Sequence, residues 1–189
     1  PPISMNCTEC TKGNIIFSLT GSIACYKVCN VISKLVQNGY EVKAVCTKSA
    51  TEFIGLTTLE TLTGKSVYVD MWERKTALDH IELNKWADLT IVAPATANIM
   101  NKFSAGFADE CVSTLFLSHD RKKPFLIAPA MNTNMWDHPA TQKSVEVLKG
   151  WGVKILDTEK GHLACGDEGY GRLLNPDKIY DIIIENLKK

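Results

Sequence analysis

Residue types suited to chemistry occur in short turns that follow predicted strands. The turn Leu19–Ala24 places a glycine and a serine at the start of a helix, where free backbone N–H groups and the helix dipole favour an anion such as a phosphate. Thr47 and Ser49 add hydroxyl groups after the next strand. The turn lacks the glycine patterns of dinucleotide folds and P-loops, which disfavours both. A mononucleotide site is one interpretation; the other is that Ser22 and Ser49 only cap their helices.

Two later turns carry side chains that suit a flat ring or a substrate. Pro94–Asn98 is a small-residue turn in which Thr96 and Asn98 could hydrogen-bond a heteroaromatic edge, or simply begin a capped helix. Pro129–Trp136 alternates two methionines and a tryptophan with amides and fits no periodic template, as is typical of a substrate-facing loop. Core packing or a subunit contact is the alternative for this segment.

A histidine and a cysteine complete the candidate set. If Asp79 caps a helix, His80 lies in its first turn as a candidate base; a packed or surface histidine is the alternative. Four glycines within Gly161–Leu173 indicate a flap that closes over a ligand and could bring Cys165 to it. The Cys7–Cys10 spacing resembles a metal knuckle, but without a second pair no metal site is expected.

Alternating strands and helices must position these turns. Continuous apolar runs predict strands over 14–20, 41–47, 89–93, 125–128 and 153–156, and helical spacing predicts helices over 24–36, 96–104, 109–117, 140–149 and 178–187. This alternation predicts an α/β fold, a three-layer sandwich with a mostly parallel, Rossmann-like (flavodoxin-like) sheet. Ligands of such sheets bind beyond the carboxyl ends of the strands, where the candidate turns lie.

Composition excludes several classes of protein. The 189 residues are 45% hydrophobic and 22% charged, which excludes a disordered chain, and 21 basic residues balance 21 acidic ones, which disfavours a nucleic-acid binder. An odd set of seven cysteines and the lack of any apolar run near 18 residues favour a cytoplasmic location and no membrane contact. We expect one domain over residues 13–189 and treat residues 1–12 as an N-terminal extension or an expression remnant.

Taken in order, these motifs are similar to those of the homo-oligomeric flavin-containing cysteine decarboxylases. The resemblance covers 13–187 and rests on the histidine of Asp79–Leu83, on Pro94–Ile99, on Pro129–Trp136 and on the glycine-rich flap. Pro94–Ile99 departs from the family's Pro-Ala-Ser-Ala-Asn-Thr pattern twice. The first departure, a threonine for the serine, keeps a hydroxyl, and the second, an isoleucine for the last threonine, loses one.

The resemblance implies FMN-dependent decarboxylation of a cysteine carboxylate, with 4'-phosphopantothenoylcysteine of coenzyme A biosynthesis as substrate. In the family's chemistry the flavin oxidises the thiol to a thioaldehyde, so that the carbanion left by carbon dioxide is delocalised onto sulfur. By the same resemblance His80 acts as base or orients the substrate, Asn132 binds the carboxylate, and Cys165 donates a proton as the enethiol is reduced. Peptidyl-cysteine decarboxylases of lantibiotic-like pathways stop at the enethiol and typically lack this cysteine.

The resemblance also implies a binding set and an assembly. The family forms homotrimers, sometimes grouped further, with flavin at subunit contacts. Many bacterial relatives are fused to a phosphopantothenate–cysteine ligase, so a separate or fused ligase is the expected partner of this chain. The alternatives are a peptidyl-cysteine decarboxylase, a non-catalytic flavin-binding regulatory subunit and an FMN prenyltransferase. The expected FMN-binding residues are Gly21, Ser22, Ile23, Ala24, Thr47, Ser49, Phe53, Ala95, Thr96 and Asn98, and the expected substrate-binding residues are Met131, Asn132, Met135, Gly171 and Arg172.

Overall fold

The computed structural model describes residues 11–69, 79–162 and 168–188. Its strands are β1 (Asn14–Leu19), β2 (Glu41–Cys46), β3 (Leu89–Ala95), β4 (Phe125–Pro129), β5 (Lys154–Ile155), β6 (Glu159–His162) and β7 (Glu168–Arg172). Its helices are α1 (Cys25–Gln37), α2 (Leu56–Thr63), α3 (Asp79–Trp86), α4 (Ala97–Ala105), α5 (Cys111–Leu117), α6 (Thr133–Asp137), α7 (Pro139–Gly150) and α8 (Pro176–Leu187). A 3-10 turn spans Lys48–Glu52.

Five strands form a parallel sheet in the order β2-β1-β3-β4-β5. Every residue of β3 and β4 is buried, as expected of strands covered on both faces. The predicted α/β sandwich with a flavodoxin-like parallel sheet is therefore confirmed. Because the strands are parallel, all their carboxyl ends meet at one edge, which we call the carboxyl edge.

Two hydrophobic cores cover the two faces of the sheet. Alternation along β1 sends Phe17 into the core that contains Ile32 of α1 and Ile183 of α8. Ile16 faces the other core, which contains Phe103 of α4 and helices α5 and α7. The helices thus form the outer layers, and the turns at the carboxyl edge remain accessible.

Two local expectations about the turns are wrong. Thr47, not Ser49, caps the 3-10 turn, because its Oγ1 accepts the Ala50 N–H at 3.2 Å while Ser49 lies exposed inside the turn. The segment predicted as an irregular loop contains helix α6, which begins after Asn132. A helix of five residues is too short to show a helical period in the sequence.

The glycine-rich segment forms an antiparallel pair, β6 and β7, separate from the main sheet. Gly171 has a φ of +109°, a backbone conformation that residues with a Cβ rarely adopt. The predicted catalytic Cys165, and the Cys7–Cys10 pair, lie outside the described residues.

The cysteines predicted as core residues are mostly buried. Cys25, Cys46 and Cys111 are buried free thiols, and Cys29 is half-buried. Burial raises the pKa of Cys25 to about 11 and that of Cys46 to about 12, and it raises the pKa of Cys111 as well. These thiols are therefore structural groups in their neutral form. None of the described helices combines the length and apolar character needed to span a membrane.

Candidate functional site

The carboxyl ends of β2, β1, β3 and β4 lie side by side and are joined by hydrogen bonds between their backbones. The Thr47 N–H donates to the Leu19 carbonyl at 3.0 Å, and the Ala130 N–H donates to the Ala95 carbonyl at 2.9 Å. With neighbouring strands about 4.8 Å apart, the row of four ends is about 14 Å long. Four turns that are distant in the sequence therefore form one continuous surface.

Thr20 links β1 to β3 and was not among the residues selected from the sequence. Its Oγ1 donates to the Pro94 carbonyl at 2.6 Å and accepts the Thr96 N–H at 3.0 Å. Thr20 is only 1% exposed, and its bond to Pro94 is buried while its bond to Thr96 is partly buried. The signal available in the sequence was a hydroxyl group directly after a mostly apolar strand, but its hydrogen-bond partners lie more than 70 residues away.

Gly21 and Ser49 bring the first two turns into close contact. A Cβ built on Gly21 would lie 2.7 Å from Ser49 Oγ and 2.8 Å from Ser49 Cβ, so any other residue would push the two turns apart. Ser49 Oγ in turn lies 3.0 Å from Thr47 Oγ1. Gly21, which belongs to the turn expected to hold a phosphate, is thus required for the close approach of this turn to the next one.

Backbone donors without an intramolecular partner occur at three of these turns. Within the described residues, the N–H groups of Gly21, Ile23, Ser49 and Asn98 donate no hydrogen bond. Such N–H groups at the starts of helical turns attract a phosphate. The donor chemistry of this edge therefore fits the phosphate end of a mononucleotide such as FMN.

The side chains around these donors differ in what they offer a ligand. Ile23 and Phe53 are apolar and about half exposed, with 55% and 46% of their surfaces accessible. Ala24 and Ala95 are buried, so only their backbones are available for contact. Ile99, which replaces the family's threonine, is 1% exposed in the second core, so a hydroxyl at this position would not face the site.

Asn132 lies at the end of β4 with its side chain exposed. Its Oδ1 caps α6 by accepting the Met135 N–H at 2.8 Å, which leaves the amide NH2 group as the available donor. Met131 packs against the second core and Met135 is 45% exposed. This turn can therefore present two N–H donors beside an apolar surface, an arrangement suited to a carboxylate on a small organic molecule.

His80 lies in the first turn of α3 and is half-buried. At the other end of this helix, the Trp86 carbonyl accepts from Asn14 Nδ2, at the amino end of β1. The helix consequently runs opposite to the strands, and its first turn lies toward the carboxyl edge. No hydrogen bond joins His80 to Asn132 in the described part of the chain.

Arg172 points across the hairpin rather than along the strand ends. A Cβ on Gly161 would lie 2.8 Å from Arg172 Nη1, so the guanidinium covers the backbone of the neighbouring strand.

The structure brings together the predicted residues of the Gly21, Thr47 and Thr96 turns. It also brings together Met131 and Gly171, whose backbones hydrogen-bond at 2.9 Å.

Some known proteins resemble this chain in sequence, and some solved structures resemble it in fold. The chain is 42% identical over 168 residues to the coenzyme A biosynthesis bifunctional protein CoaBC of Bacillus subtilis, covering 88% of this chain but 41% of that protein. It thus spans less than half the length of that relative.

Solved structures match over nearly the whole chain. A cysteine-to-serine variant of a PPC decarboxylase, complexed with pantothenoylaminoethenethiol, is 30% identical with a TM-score of 0.83, over 94% of this chain and 99% of that one. The FMN binding protein AtHal3 is 31% identical with a TM-score of 0.79, over 92% and 96%. Residues 3–188 match the family described as Flavoprotein, and the resemblance to flavin-containing cysteine decarboxylases is confirmed. This chain belongs to the Flavoprotein family.

Proposed function

We propose that this protein is an FMN-dependent carboxy-lyase that decarboxylates 4'-phosphopantothenoylcysteine to 4'-phosphopantetheine in coenzyme A biosynthesis. The observation that carries the proposal is the row of unpartnered backbone donors at three strand ends, continuous with the exposed amide of Asn132. Similarity to the CoaBC protein and to the PPC decarboxylase variant supports this choice of substrate.

The FMN phosphate would be held by the turns that carry the free N–H groups. Ser22, Thr47 and Thr96 add hydroxyl groups there, while Ile23 and Phe53 offer apolar surface to the ring. When bound, FMN would supply reversible two-electron oxidation of the substrate thiol, the chemistry that makes loss of carbon dioxide easy. The protein's own groups then have to bind, orient and protonate the substrate.

Three side chains would bind, orient and protonate the substrate. The amide NH2 group of Asn132 would donate to the substrate carboxylate, because its oxygen is already committed to capping α6. His80 would accept a proton from the substrate or orient it. Cys165 would donate a proton to the enethiol carbon as the product is reduced. Met131, Met135, Gly171 and Arg172 would border the substrate.

We also propose a homotrimer, or a multiple of it, with FMN at the subunit contacts. Ile23 and Tyr26, 55% and 60% exposed, place apolar surface beside the phosphate-binding turn, which a second chain would cover. The proposed unit comprises residues 13–189, works in the cytoplasm and receives its substrate from a phosphopantothenate–cysteine ligase, separate or fused.

The activity is tested with purified protein and 4'-phosphopantothenoylcysteine. The protein should be yellow, or become so when FMN is added, and should release carbon dioxide and give a product with the mass of 4'-phosphopantetheine. Colourless protein that cannot be reconstituted with FMN would overturn the proposal.

The variant C165S separates this activity from decarboxylation of a peptide. In an enzyme of coenzyme A biosynthesis it should stop at the oxidised enethiol, two mass units below the normal product. A peptidyl-cysteine decarboxylase should be indifferent to the change.

The variant His80→Ala tests the role proposed for the histidine. Turnover that survives this change would show that His80 is not a catalytic residue.

A further inference from the structure

Strand β7 is bound directly to the turn that carries Asn132. The Met131 N–H donates to the Gly171 carbonyl at 2.9 Å, and the Thr133 hydroxyl donates to the Tyr170 carbonyl at 2.9 Å. These two bonds involve the residues immediately before and after Asn132. The orientation of its turn is therefore set by the hairpin as well as by β4.

Two glycines make this close approach possible. A Cβ on Gly171 would lie 2.5 Å from the Met131 carbonyl oxygen, and a Cβ on Gly169 would overlap Thr133 Oγ1. Both contacts lie on the side of β7 that faces the turn. The strand is consequently pressed against the turn along three consecutive residues of the chain, 131–133.

We propose that Thr133 is a positioning residue for the decarboxylation, an inference that rests on the function proposed above. Its hydroxyl bond to Tyr170 keeps the first turn of α6 at the hairpin. Asn132 caps that same turn through Oδ1, so the direction of its amide NH2 group depends on where the turn is held. Thr133 would thus aim the donors of Asn132 at the substrate carboxylate without touching the substrate.

Other roles for the Thr133 hydroxyl are less consistent with its contacts. It does not cap α6, since Asn132 does, and in the described residues Tyr170 is its hydrogen-bond partner. Helix α6 has five residues, and its contact with the second core is made by the half-buried Trp136 and not by Thr133. A purely structural hydroxyl would change the stability of the protein without discriminating between ligands that have or lack a carboxylate.

The test compares Thr133→Val and Thr133→Ser in the FMN-loaded protein. Loss of one hydrogen bond corresponds to about a 2- to 13-fold effect. We expect T133V to raise KM for 4'-phosphopantothenoylcysteine, or lower kcat/KM, by this factor, and T133S to lie within about twofold of the unchanged protein. The matched control is Thr61→Val, which removes a hydroxyl bonded to the Thr57 carbonyl at 2.7 Å in α2 and should leave both constants unchanged.

A second readout distinguishes positioning from stability. The product 4'-phosphopantetheine keeps the phosphate of the substrate but has no carboxylate, so T133V should bind it as the unchanged protein does while losing affinity for the substrate. Equal losses for both ligands, equal impairment of T133S and T133V, or wild-type kinetics in T133V would each overturn the inference. If neither T133V nor Thr133→Ala folds as a flavoprotein, the hydroxyl is structural and the inference is also overturned. Inactivity of the unchanged protein would instead contradict the proposed function.

Discussion

The hydroxyl of Thr20 donates to the carbonyl of Pro94 at 2.6 Å and so ties the end of β1 to the end of β3. The same oxygen accepts the N–H of Thr96, the residue that caps α4. One buried side chain thereby sets the relative position of two of the proposed FMN-binding turns.

Replacing Thr20 by valine should destabilise the protein and weaken FMN binding. Valine has nearly the same shape but leaves a buried carbonyl and a partly buried N–H without partners, at a cost of about 2 kcal/mol in the free energy of unfolding. Urea denaturation and FMN titration measure both effects. A T20V protein that matches the unchanged one would show that water replaces the hydroxyl.

Gly21→Ala should reduce FMN affinity by separating the first two turns. The new Cβ would lie 2.7 Å from Ser49 Oγ, and Ser49→Gly should partly restore binding, because it removes both atoms that clash. Gly150→Ala is the matched control, since a Cβ at that position meets nothing within 4 Å. Fluorescence titration with FMN gives the affinities, and equal values for G21A and G150A would contradict the close contact.

Asn132→Asp should abolish most activity while preserving the fold. The aspartate still caps α6, but its charge repels the substrate carboxylate by about 1–4 kcal/mol, or about 5- to 1,000-fold in kcat/KM. Asn132→Ala loses the cap as well and should lower stability by about 1 kcal/mol. Steady-state kinetics and thermal unfolding separate the two effects. Full activity in N132D would exclude a carboxylate contact.

A homotrimer with shared sites makes a prediction about mixed assemblies. If His80 and Asn132 of one site come from different chains, refolding a mixture of inactive H80A and N132D proteins should restore about a quarter of the wild-type activity. Each variant refolded alone is the control. A mixture that stays inactive would mean that both side chains come from one chain.

The buried thiols predict a loss of stability at alkaline pH. In the unfolded chain a thiol ionises near pH 8.5, whereas Cys25 and Cys46 stay neutral in the folded protein up to about 11 and 12. Between these values the unfolded state binds fewer protons, so the free energy of unfolding is constant below about pH 8 and falls as the pH rises, by about 1.4 kcal/mol per pH unit for each thiol.

Urea denaturation at about pH 7.5, 9 and 10.5 measures this slope. The variant Cys46→Ala should show a smaller decrease of the free energy of unfolding with pH. Val45→Ala, a neighbouring core truncation without a titrating group, should lower stability equally at each pH. Identical slopes in the unchanged protein and C46A would show that Cys46 does not contribute.

The chemistry-bearing turns were predictable because each follows a buried strand. Apolar runs such as Leu89–Ala93 indicate strands covered on both faces, and the next residues must then lie at the carboxyl edge. Ser49 was predicted as the cap of the turn that Thr47 actually caps, because the hydroxyl of either residue suits a helix start. Helix α6 was missed because its one and a half turns are stabilised by the Asn132 cap and by strand β7 rather than by a periodic apolar face.

By itself the sequence determined the alternation of strands and helices, the parallel sheet and the order of the four motifs, since these depend on local patterns. Only the tertiary structure decided which turns meet. The contact of Gly21 with Ser49, the bond of Thr20 to Pro94 and that of Thr133 to Tyr170 join residues 28 to 74 positions apart. Such contacts follow from strand order and from the atoms that a glycine lacks, and no local pattern in the chain encodes either.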